Sequence, residues 1–346
     1  MDHQNHDTNH NRPTDQQGLS AGSDAPITNH LMIMAYGGPD KLEDVRPYLL
    51  DVRNYRETSE HVFEEITDRY RQIGGRSPIL ELTQAEAQGI ENSLNELAAP
   101  GEHWKVWVGM RHWHPFIKDV LAEMEADGIT RTMGLVMAPH YSRMSIGAYF
   151  KRAAEAGSPI EIVPIEDWHL LPGYLDALAE RVNDALQKFP EDVRAEVPVI
   201  FSAHSLPERI LEWNDPYPTV LRETVDALTE RLPGQPWKWA YQSAAMTPDP
   251  WLGPDAGDVI TELAGQGHKH ILICPIGFIC EHVEILYDID IEYQQLAGEL
   301  GVHLERIEML NAHPTMLAGL AGLVREKAVG AGLVAADTAE AEAAAS

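Results

Sequence analysis

A stretch near the carboxyl end of the chain carries carboxylates at helical spacing. Glu284, Asp288 and Glu292 stand at positions i, i+4 and i+8 of a segment whose pattern predicts a helix. An α-helix would place them on one face, and no Lys or Arg occurs within residues 281–300 to offset their repulsion. Oxygen ligands of this kind bind divalent cations. Both a solvated acidic face and a path for a divalent cation agree with this pattern.

The runs before this segment predict where the carboxylates lie. Apolar residues over 270–275 indicate a buried strand that turns at Gly277, and a second apolar run over 197–203 ends at His204. In open α/β sheets, ligands bind beyond the carboxyl ends of the strands. We therefore expect His204 and Glu284 at one sheet edge, where a histidine held by a carboxylate is a usable base near neutral pH. A histidine that is merely hydrogen-bonded at a strand end is the alternative.

Apolar runs alternate with helical patterns along the chain, which predicts an α/β protein. The strand-like runs lie at residues 30–36, 105–110, 132–138, 160–164, 197–203, 237–242, 269–275 and 302–308. Repeated βα units imply mostly parallel sheets covered by helices. We expect two Rossmann-like domains, each a mostly parallel four-stranded sheet flanked by helices, at residues 29–172 and 173–328. An interdomain cleft separates them, and the last helix, over 314–327, is expected to pack back on the first domain.

The net charge, the lack of long apolar runs and the composition of the two ends of the chain limit the partners that we expect. The formal net charge of −28 argues against nucleic acid and anionic lipid surfaces as partners. No apolar run reaches the roughly 18 residues of a membrane span. Residues 1–28, which include His3, His6 and His10, and the Ala-rich acidic residues 329–346 predict disordered tails. We expect a cytoplasmic monomer without stable membrane insertion.

The two cysteines, Cys274 and Cys280, exclude a disulfide framework. They also exclude an Fe–S cluster, which needs about four ligands. We expect Cys274 to be buried in a strand and Cys280 to be open to the site, and we expect no resident cofactor.

One segment is rich in arginine although the chain as a whole is acidic. Six arginines fall within about thirty residues of each other: Arg46, Arg53, Arg56, Arg69, Arg71 and Arg76. Guanidinium groups bind carboxylates with matched geometry, so the segment predicts a rim for an anionic ligand. Tyr36, Tyr149 and Trp251 have the ring faces to sandwich a flat molecule. The alternatives are pairing of the arginines with neighbouring acids and burial of the aromatic rings in the core.

Over residues 31–327 the chain resembles ferrochelatases. The resemblance rests on separate motifs at residues 74–79 (GGRSPI), 202–207 (SAHSLP), 215–218 (DPYP), 247–255 (TPDPWLGPD), 275–278 (PIGF) and 282–288 (HVEILYD). It implies insertion of Fe²⁺, a substrate, into a porphyrin bound in the interdomain cleft. The essential histidine and glutamate of the family fall on His204 and Glu284, which would also contact the metal. Asp288 and Glu292 match an acidic row that passes metal in or protons out.

Within this family the chain is most similar to the soluble coproporphyrin III branch. The resemblance implies that Tyr36 faces the metal centre. It implies that propionates are held by Arg53, Arg69, Ser77 and Tyr149. We expect insertion of Fe²⁺ into coproporphyrin III to give coprohaem, with transient contacts to neighbouring enzymes of haem synthesis. A protoporphyrin IX ferrochelatase and a non-catalytic porphyrin or haem carrier are the alternatives.

Overall fold

The computed structural model describes residues 27–335 except residues 57, 246 and 248. Its strands form two four-stranded parallel sheets. The first sheet contains β1 (Ile27–Ala35), β2 (Glu102–Met110), β3 (Arg131–Val136) and β4 (Glu161–Ile165) in the order β2-β1-β3-β4. The second contains β5 (Val199–His204), β6 (Trp237–Gln242), β7 (His270–Cys274) and β8 (His303–Arg306) in the order β6-β5-β7-β8. The predicted α/β class with two such sheets is confirmed.

Helices cover both sheets. Those of the first half are α1 (Val45–Val52), α2 (Glu60–Gln72), α3 (Ile79–Leu97), α4 (Ile117–Ala126) and α5 (Ile146–Glu155). Those of the second half are α6 (Pro172–Leu186), α7 (Tyr217–Arg231), α8 (Ala256–Gly265), α9 (Val283–Leu286), α10 (Gln294–Leu300) and α11 (Pro314–Gly330). Short 3₁₀ turns lie at Leu42–Asp44, Arg194–Glu196 and Glu208–Trp213. No helix in residues 27–335, apart from the three undescribed positions, is long and apolar enough to cross a bilayer.

The central strands are buried on both faces, which explains their continuous apolar runs. Residues 31–34 of β1 and 271–274 of β7 are fully buried. The last helix, α11, packs against α3 as well as α6, so it contacts elements of the first half. Strand β1 begins at Ile27, so residues 27 and 28, assigned above to a tail, belong to the sheet. Residues 1–26 and 336–346 of the predicted tails lie outside the described residues.

The acidic segment predicted as one α-helix consists of three elements. After the single turn α9, residues Asp288–Tyr293 form a π-helix, in which the Glu292 amide donates to the Tyr287 carbonyl at 3.0 Å. Such wide turns are rare and are frequently found at functional sites. Contacts with other elements hold this one, because Asp288 accepts a bond from Ser243 while Asp290 pairs with Arg306. The spacing of the carboxylates does not encode these contacts, so the prediction of a continuous α-helix is wrong.

A close approach at Gly277 sets the end of β7 against the end of β5. The Gly277 amide donates to the Ser202 carbonyl at 3.2 Å. A Cβ atom on residue 277 would lie 2.7 Å from the Cβ of Ala203 and 2.9 Å from its Cα. Only glycine permits this approach. The loop that follows is thereby held beside His204.

Gly277→Ala is expected to push this loop away from β5. Overpacking of this kind costs about 1–3 kcal/mol in the free energy of unfolding, and the displaced loop should lower activity. The control is Gly265→Ala at the end of α8, where an added Cβ meets nothing within 4 Å. Alanine there should stabilise by about 0.5–1 kcal/mol. Equal denaturant midpoints for the two variants would contradict this account.

Candidate active site

A cavity of about 300 Å³ lies where the carboxyl ends of strands from both sheets face each other. Tyr36, Ser77 and Tyr149 line it from the first half, and His204 and Glu284 line it from the second. The structure therefore brings together these five predicted site residues, and the predicted aromatic residue Trp251 also lines the cavity. The cavity is walled mainly by aromatic and apolar side chains with a few polar groups, which is typical of a small-molecule site.

Glu284 lies between two imidazoles. Its Oε1 is 3.3 Å from Nε2 of His204, and its Oε2 is 2.9 Å from Nε2 of His282. Nδ1 of His282 is 2.9 Å from the Cys280 carbonyl, and Nδ1 of His204 faces the Ser205 carbonyl. A carbonyl only accepts, so each Nδ1 carries a proton, and each Nε2 needs a further proton to bond to an ionised Glu284. Besides the proton that each imidazole carries at Nδ1, the cluster can therefore bind a further proton at each Nε2.

The charges in this cluster support each other. Burial lowers the pKa of His204, but the charge of Glu284 and the hydrogen bonds to Glu284 and Ser205 outweigh burial, so the pKa lies above its usual value. Burial raises the pKa of Glu284, but the neighbouring His204 and His282 outweigh it and hold this pKa well below its usual range. His204 is thus a stronger base than free imidazole, and Glu284 stays ionised.

Tyr36 reaches into the cavity with 39% of its surface exposed. Desolvation of the phenol by the surrounding cavity wall, and then the charge of Glu284, raise the pKa of Tyr36 to about 12, so the phenol stays neutral. Its ring centroid lies 4.6 Å from that of His112. Nδ1 of His112 is 2.7 Å from the buried carboxylate of Asp51, which also accepts two bonds from Arg152 at 2.6 and 2.5 Å. This network fixes the surface against which Tyr36 packs.

Arg53 and Arg69 do not line the cavity. Arg53 is exposed at the end of α1. Arg69 pairs with Glu65 at 3.0 Å and with the buried Asp288 at 3.4 Å. Three other arginines of the basic segment also pair with local acids: Arg46 with Glu60, Arg71 with Asp68 and Arg76 with Glu81. Pairing with nearby acids, the alternative given above, describes most of this segment.

Sequence reasoning missed two residues of the site. One is His282, which lies within a matched motif but was given no role. The other is Arg111, which lines the cavity 5.1 Å from the Tyr149 ring centroid and 5.9 Å from that of Tyr36. No described carboxylate forms an ion pair with Arg111. Its position directly after the predicted strand 105–110 is the signal that could have identified it.

The acidic row leads from the cavity to the surface. Glu284 is partly exposed in the cavity, Asp288 is buried, and Glu292 is exposed. Asp288 accepts a bond from Ser243 at 2.5 Å, and burial raises its pKa to about 6 despite this bond. Within the part of the chain that the structure describes, no three His, Cys, Asp or Glu side chains converge to hold a metal ion. Cys280 lines the cavity, as expected, with 7% of its surface exposed.

The fold is that of the chelatases. SirB from Bacillus subtilis, solved with Fe³⁺, superposes with a TM-score of 0.52 over 88% of this chain and 97% of SirB. The sequence identity is 12%, so this likeness establishes the architecture alone.

Sequence comparison identifies the family. The family model for Ferrochelatase matches residues 29–328. The ferrochelatase of Herpetosiphon aurantiacus is 42% identical over 291 residues, which cover 83% of this chain and 95% of the relative. The coproporphyrin III ferrochelatase of Bacillus subtilis is 38% identical over 301 residues, which cover 86% of this chain and 97% of the relative. The chain belongs to the ferrochelatase family, the enzymes that insert iron into a porphyrin in haem synthesis, and the carrier alternative is set aside.

Replacing Glu284 by Gln should lower the pKa of His204. The amide keeps the shape but removes the charge that opposes burial, so His204 should titrate below its usual value. In the unmodified protein, the raised pKa of His204 increases the free energy of unfolding below the unfolded pKa, and this contribution is lost as pH rises through the folded pKa. Glu284→Gln should remove this contribution as well. Ring-proton NMR titration of the full chain measures the shift. Glu292→Gln, at the exposed end of the row, is the control and should leave the pKa of His204 near its value in the unmodified protein. An unchanged pKa of His204 in Glu284→Gln would contradict the pairing of His204 with Glu284.

Proposed function

We propose that this enzyme inserts Fe²⁺ into coproporphyrin III and that His204 and Glu284 carry the proton chemistry. The observation that carries the substrate proposal is Arg111, whose guanidinium lies in the wall of the cavity and forms no ion pair with any described carboxylate, in a chain of net charge −28. Coproporphyrin III has four propionates, whereas protoporphyrin IX has two propionates and two vinyl groups. Arg111 can form a charge-assisted bond to one of the additional carboxylates.

The surroundings of Arg111 support the binding of a flat anionic ring. The ring centroids of Tyr36 and Tyr149 lie 5.9 and 5.1 Å from the Arg111 guanidinium, and Ser77 also lines the cavity. Ser77 is held close to the end of β1, since a Cβ on Gly38 would come within 2.5 Å of the Ser77 Cβ. Relatives from Listeria monocytogenes, 40% identical over 301 residues, and from Bacillus subtilis are named coproporphyrin III ferrochelatases.

Arg53 and Arg69, both predicted to hold propionates, have different roles in this proposal. Arg53 has no described carboxylate partner and is free to meet a propionate that extends beyond the cavity. Arg69 already binds Asp288 and Glu65, so a propionate at Arg69 has to displace a carboxylate. We therefore assign Arg69 first to holding Asp288 and only second to the substrate.

Metal insertion releases two protons from the pyrrole nitrogens. Neutral His204 accepts one of them at Nε2, and Glu284 stabilises the imidazolium that forms. His282, which bonds to the other oxygen of Glu284, provides a second acceptor within the same cluster. Fe²⁺ passes as a substrate by His204 and Glu284. Asp288 and Glu292 extend the acidic row toward solvent as its path.

The unmodified enzyme should have a higher kcat/KM for coproporphyrin III than for protoporphyrin IX, measured side by side with Fe²⁺ under anaerobic conditions. Arg111→Met should raise the KM for coproporphyrin III about tenfold or more, because a hydrogen bond to a charged group contributes roughly 1.5–3 kcal/mol. The KM for protoporphyrin IX should change less.

The control is Arg71→Met, which removes an exposed arginine paired with Asp68 and should change neither constant. Equal kcat/KM for the two porphyrins in the unmodified enzyme would refute the substrate proposal and leave the family assignment intact.

A further inference from the structure

One buried carboxylate is hydrogen-bonded to both halves of the molecule. Asp215 belongs to the DPYP motif and is 6% exposed. Its Oδ1 accepts a bond from the Tyr217 amide, in the second half, at 3.0 Å. Its Oδ2 accepts bonds from two groups of the first half, the Ser142 hydroxyl at 3.1 Å and the Arg143 amide at 2.9 Å. Asp215 therefore joins the two sides of the interdomain cleft.

On the second-half side, Tyr217 connects Asp215 to the backbone of His204. Tyr217 is the first residue of α7, is buried and lines the cavity. Its hydroxyl donates to the His204 carbonyl at 2.9 Å. His204 is the last residue of β5, where the chain leaves the sheet. The bond from Tyr217 therefore fixes the backbone at the point that carries the imidazole.

On the first-half side, Asp215 holds the loop between β3 and α5. The Ser142 hydroxyl that donates to Asp215 also accepts a bond from the Met144 amide at 3.1 Å. Met144 lines the cavity, and so does Tyr149 from the helix α5 that follows. The bonds at Asp215 thus fix a loop that forms part of the cavity wall and leads into the helix of Tyr149.

A second contact joins the same loop to α7. Nε2 of His140, a buried residue that lines the cavity, is 2.9 Å from Oγ1 of Thr224. Thr224 lies about two turns beyond Tyr217 on α7. The loop is therefore fixed to the region of α7 at two places. Of the two, Asp215 is the one that also reaches His204 through Tyr217.

The donors around Asp215 explain why this position requires a carboxylate. Its two oxygens accept three bonds, and all three partners donate. An ionised carboxylate has only acceptors, whereas an amide has one oxygen and one NH₂ group. In either orientation of an asparagine, the NH₂ group would face the backbone N–H of Tyr217 or that of Arg143. Asp215→Asn therefore breaks the link on one side or the other.

We propose that Asp215 is a positioning residue for iron insertion, which acts through Tyr217 on His204 and through Ser142 on the cavity wall of the first half. Proton transfer needs the imidazole and the ring nitrogens in a fixed geometry, and a misplacement of about 1 Å can cost about 10²-fold in rate. Because His204 and this wall come from different halves, a link between them sets that geometry. The inference rests on the proposed role of His204, and it is independent of which porphyrin is the substrate.

Kinetics of full-chain variants test the connection to His204, with the porphyrin that the unmodified enzyme turns over best. Tyr217→Phe removes the hydroxyl and keeps the ring in the cavity wall. It should lower kcat about tenfold or more, within the range for such a misplacement. The porphyrin Kd, measured by fluorescence without iron, should stay within about twofold. Tyr241→Phe is the control and should keep the unmodified kcat, since Tyr241 is equally buried but does not line the cavity.

Asp215→Asn tests the link itself. It should also lower kcat about tenfold, because His204 and the opposite wall are no longer set against each other. Combining it with Tyr217→Phe should lower kcat by less than the product of the two separate effects, since both changes act on the position of His204.

An NMR signal reports the position of His204 independently of activity. His204 and Ser205 form the only His-Ser pair in the chain. Labelling histidine carbonyls with ¹³C and serine amides with ¹⁵N therefore gives a single carbonyl-to-amide cross-peak. Loss of the hydroxyl donor in Tyr217→Phe should shift this peak, and so should Asp215→Asn. Tyr241→Phe should leave the peak in place.

An unmodified kcat in Tyr217→Phe or in Asp215→Asn would overturn the proposal, as would an unmoved cross-peak in Tyr217→Phe. If Asp215→Asn does not fold, Ser142→Ala takes its place, because it removes one donor on the first-half side. An unmodified kcat in that variant would overturn the proposal in the same way. Failure of the proposed role of His204 is seen separately: His204→Ala would then keep its activity, while the cross-peak in Tyr217→Phe would still move.

Discussion

The contact between His204 and Glu284 is the constraint on which the rest of the site depends. It joins the end of β5 to the helix after β7, so two separate loops must be held in register. The lack of a side chain on Gly277 permits the approach. Gln242 then fastens it, because its amide donates to the Glu284 carbonyl at 3.1 Å while its oxygen accepts a bond from Ser202 at 2.8 Å. His204 and Glu284 are therefore positioned by backbone contacts as well as by their mutual attraction.

In this strongly acidic chain, individual arginines lie beside particular carboxylates of the acidic segment or in the wall of the cavity. The acidic segment carries no Lys or Arg, and arginines from other elements pair with two of its carboxylates. Arg69 from α2 pairs with Asp288, and Arg306 from β8 pairs with Asp290. Arg111 remains without a described carboxylate partner inside the cavity. Arginines thus pair with the carboxylates of Asp288 and Asp290 in the π-helix. The positive charge of Arg111 is available in the cavity, where an anionic ring is proposed to bind.

Much of the fold and the central pair could be predicted because local patterns encode them. Buried parallel strands appear as apolar runs, and the rule that ligands bind beyond strand ends selects His204 without further knowledge. The π-helix could not be predicted, because it depends on the contacts that Ser243 and Arg306 make with it from other elements. The partner of Arg69 could not be predicted for the same reason, since spacing does not reveal that Arg69 meets Asp288 across the fold.

The most direct test of the central claim is a single-turnover experiment on His204→Ala. The variant is mixed anaerobically with coproporphyrin III and Fe²⁺, and metallation is followed through the porphyrin absorbance. The account predicts that porphyrin binds with nearly unmodified affinity and that the metallation rate falls by about 10²-fold or more, because the group that accepts the pyrrole proton is gone. Metallation at a rate close to that of the unmodified enzyme would contradict the account.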